Sequence, residues 1–230
     1  MTGELPPTIC DATSLSILDL SNNGLSGALP HCLGNLADKL ISINLANNQF
    51  RGPIPTNFSK SCRLTYLNIY NNHFKGLVPQ SLANCKHLQI LDFGKNEIGG
   101  TFPSWLFTLG ELEVLVLRSN RFFGRITRRG IPRPFPKLRI LDLSNNQFTG
   151  YLPISYFKNM KPNDNNYDYF NNTNEAYYVY QVSISLNVKG SEHEVTNILH
   201  IYTAIDLSCN KFEGKVPNIT GELRWLALLN

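Results

Sequence analysis

Six asparagines recur along the chain at an almost constant interval, and the interval then breaks. They are spaced by 25, 24, 24, 24 and 26 residues, and the next equivalent asparagine comes 64 residues later. Each one closes the same phrase, LxxLxLxxNxLxGxLP in its loosest form. The ladder comprises Asn23, Asn48, Asn72, Asn96, Asn120, Asn146 and Asn210. A fixed period indicates stacked turns of equal length, and the gap indicates an insertion of about 40 residues beyond one normal repeat.

This period and its leucine and asparagine pattern are typical of a leucine-rich-repeat solenoid. Alternation around each central leucine pair predicts a short parallel strand with one buried and one exposed face. We therefore expect an α/β-type leucine-rich-repeat solenoid, with seven parallel strands on its concave face and repeats of about 24 residues. Solenoid turns bury their apolar faces only against neighbouring turns, so the chain should form one elongated array.

The broken period also divides the chain. Residues 1–156 are assigned to a partial first repeat and six full repeats, residues 157–200 to the insertion, and residues 201–230 to one further repeat and a truncated next one. Both ends fall inside repeats and neither has a polar capping turn, so we expect the isolated chain to aggregate. No signal core follows Met1 and no stretch is long and apolar enough for a membrane span. As given, the chain is not expected to be secreted or anchored.

The ladder asparagines are assigned a structural role. An asparagine amide offers donors and an acceptor to backbone groups that a sharp bend after the strand would otherwise leave unpaired. The second half of each repeat carries Gly and then Pro, as in Gly27 with Pro30 and Gly150 with Pro153. Glycine permits a tight backbone turn, and proline fixes φ while removing a donor.

The outward strand positions are the first place to look for ligand recognition. Asp or Asn fills the middle outward slot in six of seven repeats, which indicates a structural requirement of the repeat. Tyr66, Tyr70, Val116 and Arg118 depart from that pattern. Tyrosines are flat anchors and arginine offers a rigid donor fork for a carboxylate. The alternative for Arg118 is a structural pair with Asp92 or Asp142 on adjacent strands.

The insertion is the second place. Val182, Ile184, Leu186 and Val188 alternate with polar residues, which predicts a half-buried strand. Lys189 and Gly190 suggest a turn, and residues Glu192 to Leu199 would form a return strand or a short helix. A hairpin folded against the concave side is the expectation. Aromatic residues suited to recognition precede it, although they could instead dock the insertion onto the scaffold. The ligand-binding candidates here are Tyr167, Tyr169, Tyr177, Tyr178 and Lys189.

A basic segment lies between Arg118 and Arg139, with eight basic residues and no acidic one. The rest of the chain has 13 basic and 17 acidic residues, so this segment alone makes the net charge +4. Nucleic-acid binding would need base-reading or stacking elements as well, and none accompanies it. Two interpretations of the basic segment are left. It is a solvated edge, or it contacts an acidic wall polysaccharide or an acidic partner.

The remaining chemical groups do not form a catalytic pattern. Cys10 and Cys32 fall on adjacent turns and suit a disulfide, Cys62 and Cys85 are expected to be buried thiols, and Cys209 should be unpaired. Glycosylation sequons begin at Asn57, Asn171 and Asn218. The histidines are scattered, and no paired acids, nucleophile, phosphate loop or metal spacing is present. The sequence therefore predicts no enzyme, no cofactor and no metal.

The repeat phrase closely resembles the plant-specific class of extracellular leucine-rich repeats. The resemblance reaches the insertion through YLPISYFKNM at 151–160, YYVYQVSISLNVKG at 177–190 and IYTAIDLSCNKFEGKVP at 201–217, which look like the island region of plant receptor-like proteins. These are cell-surface receptors without a kinase domain, and many are immune receptors. The resemblance identifies an internal ectodomain segment, on the extracellular face of the plasma membrane in the full-length protein.

The resemblance implies a non-enzymatic scaffold that binds a peptide or protein ligand in defence signalling with receptor kinase partners, and many receptors of this class recognise microbial molecules. Two alternatives remain open. A secreted inhibitor of microbial wall-degrading enzymes shares the repeat pattern but ordinarily lacks the insertion. The other alternative is a receptor for an endogenous developmental peptide.

Overall fold

The computed structural model describes residues 1–127, 130, 134–154, 183–188, 191–196, 203–223 and 226–230. Between residues 183 and 196 it describes the backbone of two strands. Each full repeat runs through a short strand, a turn closed by its ladder asparagine and a second short strand. In five repeats the described part of the following segment contains one short helix. These are the α-helix α1 at Leu33–Leu36 and 3-10 turns at Pro7–Asp11, Gln80–Asn84, Ser104–Thr108 and Asn218–Glu222.

The first sheet contains eight parallel strands, one more than the seven expected. The eighth strand belongs to the truncated last repeat, whose residues Leu228–Leu229 pair with the strand before them. The order along the sheet follows the order along the chain, as stacked turns require. Its strands are β2 Ile17–Asp19, β4 Ser42–Asn44, β6 Tyr66–Asn68, β8 Ile90–Asp92, β10 Val114–Val116, β12 Ile140–Asp142, β16 Ala204–Asp206 and β18 Leu228–Leu229.

A second parallel sheet of eight strands follows the ladder turns, and the sequence analysis did not anticipate it. It forms because the residues between each ladder asparagine and its glycine also alternate, with one large apolar side chain buried between two outward positions. Its strands are β1 Thr2–Glu4, β3 Gly24–Gly27, β5 Gln49–Gly52, β7 His73–Gly76, β9 Glu97–Thr101, β11 Arg121–Arg125, β13 Gln147–Tyr151 and β17 Lys211–Glu213.

The ladder asparagines bind the turns to one another. The Asn120 side chain is typical: its Nδ2 donates to the carbonyl oxygens of Leu117 and Arg118 in its own turn, and to that of Phe93 in the preceding turn at 2.8 Å. Its Oδ1 accepts from the Ile98 N–H at 3.0 Å. One amide thus satisfies backbone groups from two turns at once, which is why the position tolerates so little change.

The residue before each ladder asparagine adopts a left-handed backbone conformation, with φ between 50° and 56°. Asparagine fills this position in four repeats and adopts this conformation more readily than most residues. Three of these side chains also donate along the array: Asn47 Nδ2 to Asn22 Oδ1 at 2.8 Å, Asn71 Nδ2 to Asn47 Oδ1 at 2.9 Å and Asn145 Nδ2 to Ser119 Oγ at 3.0 Å. The other three positions carry Lys95, Ser119 and Cys209.

The insertion leaves the stack of turns intact. Strand β12 pairs directly with β16, with Ile140 opposite Ala204, and β13 pairs with β17. Asn210 Nδ2 donates to the Leu143 carbonyl at 2.9 Å, as an uninterrupted ladder would require. Within the insertion, β14 Ser183–Val188 pairs antiparallel with β15 Ser191–Thr196. The repeat before the insertion therefore stacks directly on the repeat after it, with the same strand pairing as between consecutive repeats.

Buried phenylalanines from the second sheet form a column inside the solenoid. Phe122 stacks on Phe148 with ring centroids 5.9 Å apart, and Phe148 stacks on Phe212 at 6.4 Å. Phe50 and Phe74 stack in the same way nearer the amino end, at 6.2 Å. Parallel in-register pairing places equivalent side chains above one another, so large aromatic rings in one slot must stack.

Two disulfides lie on the side of the repeats that carries the helical turns. Cys10 is bonded to Cys32, and Cys62 is bonded to Cys85. The prediction that Cys62 and Cys85 are buried thiols was therefore wrong. They are separated by 23 residues, one fewer than the usual repeat, so they do not occupy equivalent positions, and their Cα atoms lie 4.9 Å apart. Cys209 is a free and exposed cysteine.

The helices of the described residues are single turns, and none has the length and apolar character required to cross a bilayer.

Candidate ligand-binding surface

Most outward positions of the first sheet are buried, which corrects the expectation that they face solvent. Tyr66 and Tyr70 are 7% and 9% exposed, Val116 is fully buried and Arg118 is 3% exposed. The two ends of the described sheet stay open, with Ile17 44% exposed at one end and Asn230 exposed at the other. Alternation along a strand tells which face a side chain occupies. It does not tell what else in the folded chain shields that face, so the sequence could not reveal this burial.

Tyr70 and Arg118 are in contact although they belong to repeats that are not adjacent, with one repeat between them. Arg118 Nη2 donates to the Tyr70 hydroxyl at 2.8 Å, and the guanidinium carbon lies 5.2 Å from the centroid of the Tyr70 ring. The repeat between them has Gly94 in the equivalent slot. A Cβ on Gly94 would lie 3.0 Å from the Tyr70 ring and 3.3 Å from Arg118 Cγ. Gly94 therefore leaves the space through which the two larger side chains reach each other.

Gly94 is a functional candidate that the sequence analysis missed. A signal was present in the sequence, because this slot reads Tyr70, Gly94 and Arg118 in three successive repeats. A glycine between two large residues in one column permits a contact across two strand spacings. Its backbone does not lie in the left-handed region, so packing, and not backbone conformation, explains the glycine.

Arg118 also lies beside Asp142, with Nε 3.9 Å from Asp142 Oδ2. This favours the structural pairing that the sequence left as an alternative, and the pair is almost completely buried. Val116 interrupts the acidic column on the same strand and offers no oxygen there. At 3.9 Å the two atoms attract each other by charge without a hydrogen bond between them, and removing one member of a buried ion pair would leave an uncompensated charge.

The acidic column of the first sheet closes the strand ends. Asp92 Oδ1 accepts the Gly94 N–H at 2.9 Å, and Asp142 Oδ1 accepts both the N–H and the hydroxyl of Ser144. Asn44 and Asn68 accept the equivalent N–H groups in their own repeats. The Asp or Asn slot is therefore part of the turn, as its recurrence suggests.

Burial changes the acidity of two members of this column. It raises the pKa of Asp92 to about 7, against the lowering effects of the Gly94 N–H and Arg118, and Asp142 raises it further. Burial likewise raises the pKa of Asp142 to about 6, with the hydrogen bond from Ser144 acting against it. Each unit of pKa shift corresponds to about 1.4 kcal/mol, so ionising Asp92 in the folded chain is costly.

We expect the chain to lose stability as the pH rises from 5 to 8. The folded-state pKa of Asp92, about 7, lies above the ordinary value of 3.8, so the folded state binds more protons than the unfolded state in this window. The stability that protonation of Asp92 contributes to the folded state is complete below about pH 4 and is lost as the pH rises through 7. The free energy of unfolding, measured in urea at each pH, should fall by about 2 kcal/mol or more.

Asp92→Asn should flatten this pH profile, because an amide oxygen can still accept the Gly94 N–H, as Asn68 does in its own turn. Asp19→Asn is the matched control, since Asp19 makes the same turn contact to Ser21 but is exposed. It should leave the profile of the parent chain unchanged. An Asp92→Asn profile as steep as that of the parent would contradict the assignment.

Several residues predicted from sequence lie outside the described residues. These are Tyr167, Tyr169, Asn171, Tyr177, Tyr178 and Lys189, together with Arg128, Arg129 and Arg133 of the basic segment. Of the described cations in that segment, Arg121 pairs with Glu97 at 2.8 Å and Lys137 pairs with Glu111 at 2.6 Å. Both pairs are exposed and each is worth at most about 1 kcal/mol. Part of the basic segment is thus neutralised by the neighbouring repeat.

The two described sequons differ in their surroundings. Asn57 is partly buried and its Nδ2 donates to Asn35 Oδ1 at 2.8 Å, whereas Asn218 is exposed. Across the ranges that the structure describes, no three His, Cys, Asp or Glu side chains are grouped so that they could hold a metal ion.

Family models of the leucine-rich repeat match residues 62–122 in one case and residues 14–36, 39–61 and 137–160 in another. Together the matches cover more than half of the chain. Two Arabidopsis thaliana proteins align along nearly all of it. Receptor-like protein 32 is 41% identical over 98% of this chain and 26% of its own length, and Receptor-like protein 6 is 51% identical over 97% and 23%. The chain thus spans about a quarter of the length of these relatives.

Solved structures agree in fold. The PEPR1-AtPEP1 crystal structure superimposes with a TM-score of 0.76 at 26% identity, over 99% of this chain and 26% of that one. A plant peptide hormone receptor, RGFR1 in complex with RGF2, gives a TM-score of 0.69 at 26% identity, over 100% of this chain and 34% of that one. With its repeat period, parallel sheets and asparagine ladder, the chain belongs to the leucine-rich-repeat family, among the plant receptor-like proteins.

Proposed function

We propose that the chain is a non-enzymatic recognition segment of an extracellular receptor and binds a peptide or protein ligand. One of the structurally similar proteins is a plant peptide hormone receptor, which favours a peptide as the ligand class. The proposed location is the extracellular face of the plasma membrane. The proposed setting is defence signalling with receptor kinase partners. An endogenous developmental peptide is the second candidate, because the similar receptor is one for a hormone of the plant itself.

The observation that carries this proposal is the contact of Tyr70 with Arg118 across Gly94. A repeat needs none of these residue types in that slot, where other repeats carry Ser or Ala. Because Tyr70 and Arg118 are almost completely buried, their contact would set the shape of the face that a ligand meets and would not itself supply the main ligand contacts. The scaffold makes this contact rigid, because Tyr70 and Arg118 lie two residues after the ends of strands β6 and β10 of one continuous sheet.

The insertion is proposed as the second contributor. It leaves the array after β13 and returns at β16, which pairs with β12, the strand that carries Asp142. Its candidate residues remain Tyr167, Tyr169, Tyr177, Tyr178 and Lys189. The proposed domain boundaries remain 1–156, 157–200 and 201–230.

Binding can be tested before the ligand is identified. The chain, secreted from plant cells and immobilised, would be exposed to peptide fractions of microbial culture filtrates and of plant extracellular fluid. We expect saturable binding that protease treatment of the fraction removes. Gly94→Ala should weaken it about tenfold or more, because about 1.4 kcal/mol of misplaced contact is enough for a tenfold change.

Gly99→Ala is the matched control, since Gly99 lies on β9 of the other sheet and a Cβ there would have 3.4 Å or more of clearance. Thermal melting of both variants separates loss of binding from loss of folding. The proposal fails if no peptide fraction binds, or if folded Gly94→Ala binds as well as the parent. Inhibition of a microbial polygalacturonase by the chain would instead support the enzyme-inhibitor alternative.

A further inference from the structure

The two described sequons stand at different distances from the proline that closes the strand segment of their repeats. Asn218 directly follows Pro217, whereas Asn57 is the second residue after Pro55. We infer that Asn218 carries an N-linked glycan and that Asn57 does not, because this one-residue offset turns the two side chains toward different surroundings. The inference rests on the proposed extracellular location, since N-glycans are added in the secretory pathway.

The same offset recurs in two other repeats. In those that contain Pro30 and Pro79, as in the one that contains Pro55, the residue directly after the proline is exposed and the second residue after it is partly buried, whereas after Pro103 both residues are partly buried. The exposed set is His31, Thr56 and Gln80, and the partly buried set is Cys32, Asn57 and Ser81. The bonded Cys32 is the clearest case, because it faces Cys10 of the preceding turn. The side chain of the second residue after the proline thus points toward the neighbouring repeat.

Asn57 is engaged with helix α1 of the preceding repeat. Its Nδ2 donates to Asn35 Oδ1 at 2.8 Å, and its Oδ1 is buried so close to Gly34 that no Cβ would fit there. The sequon hydroxyl is engaged as well, since Ser59 Oγ donates to Asp38 Oδ1 at 2.6 Å. Phe58, between them, is a core residue. Every side chain of this triplet therefore holds two turns together.

Glycan transfer would be incompatible with this packing. The reaction forms a bond between Asn57 Nδ2 and the first sugar carbon, while the lipid diphosphate donor leaves and the amide nitrogen gives up one proton. The sugar would then have to occupy the space between Asn57 and α1, and the turns could not stack. A chain modified there before folding is expected to be retained and not secreted.

Asn218 has no such constraint. It is exposed and begins the 3-10 turn Asn218–Glu222. The Thr220 hydroxyl is buried and makes no hydrogen bond to the residues that the structure describes, so removing it would break none of their hydrogen bonds. The Thr220 backbone N–H instead closes the turn by donating to the Pro217 carbonyl at 3.0 Å. A sugar on Asn218 can extend into solvent while the turn stays closed.

The test is site-resolved glycan mapping by mass spectrometry on the chain secreted from plant cells. We expect nearly complete occupancy at Asn218 and none at Asn57. Thr220→Val removes the sequon of Asn218, keeps the side-chain shape and should abolish the glycan at Asn218 without affecting secretion. Ser59→Thr supplies the same sequon hydroxyl residue as Thr220, so it tests whether position, and not residue type, protects Asn57.

The outcomes are distinct. If secreted, folded Ser59→Thr chain carries a glycan at Asn57, the inference is overturned while the extracellular assignment stands. If neither asparagine is modified in a chain recovered from the medium, the assignment of Asn218 is wrong. Failure of the chain to enter the secretory pathway when a signal peptide is supplied would count against the proposed location and with it against the inference.

Discussion

Replacing Asn120 with alanine should lower the free energy of unfolding by about 3 kcal/mol or more, which is a large loss for a single polar residue. Its amide makes one bond to each of three carbonyl oxygens and accepts one N–H, and all four bonds are buried. The Ile98 N–H would lose the partner that Asn120 supplies. Leaving a buried donor unsatisfied costs roughly 1 to 3 kcal/mol by itself.

Asn23→Ala is the matched control for Asn120→Ala. Asn23 makes the same bonds within its own turn, to the carbonyls of Leu20 and Ser21, but its Oδ1 accepts from the exposed amino terminus. Water can replace these partners, so the loss should stay near or below about 1 kcal/mol. Urea unfolding followed by circular dichroism would measure both. Equal losses would mean that the ladder does not act through burial of backbone groups between turns.

The ladder also shows how much of this fold can be predicted from sequence. The period, the parallel strands and the place of the insertion follow from the asparagines, because a side chain that must satisfy two turns cannot drift in register. The second sheet was missed because its strands contain glycines such as Gly76 and Gly100 at their ends, which ordinarily indicate turns. Its pairing depends on neighbouring repeats, which a single repeat's sequence does not display.

The candidate site was predicted only in part. Tyr70 and Arg118 departed from the repeat pattern and could be named from sequence alone. Their mutual contact required knowing that Gly94 lies between them in space, and their burial required the folded chain. The disulfide between Cys62 and Cys85 was missed for a related reason. Assuming strictly equivalent positions on stacked turns ignored the one-residue difference in spacing that lets the two side chains converge.

The insertion raises a physical question about the array, because the turns on either side of it are close in space and far apart in sequence. Closing a long loop costs entropy that grows only slowly with length, so interactions between turns can hold the ends of a 64-residue gap together. In a solenoid those interactions are restricted to nearest neighbours. The pairing of β12 with β16 and of β13 with β17, together with the aromatic rings stacked beneath the latter pair, must therefore supply this coupling.

Phe148→Ala should remove the centre of that coupling and lower the free energy of unfolding by about 3 to 5 kcal/mol. Phe148 is fully buried and stacks on Phe122 before the insertion and on Phe212 after it. Hydrogen exchange should show a second effect, since residues 203–223 and 226–230 would lose protection at milder denaturant concentrations than the preceding repeats.

Phe50→Ala is the control that separates the two effects of Phe148→Ala. Phe50 is equally buried and stacks on Phe74, but both rings precede the insertion. Its loss should destabilise the chain by a similar amount without selectively exposing the amide groups after the insertion, because the turns that it joins are consecutive. If both variants open the last repeats equally, the array behaves as one cooperative unit, and the rings around the insertion have no special role in holding its ends together.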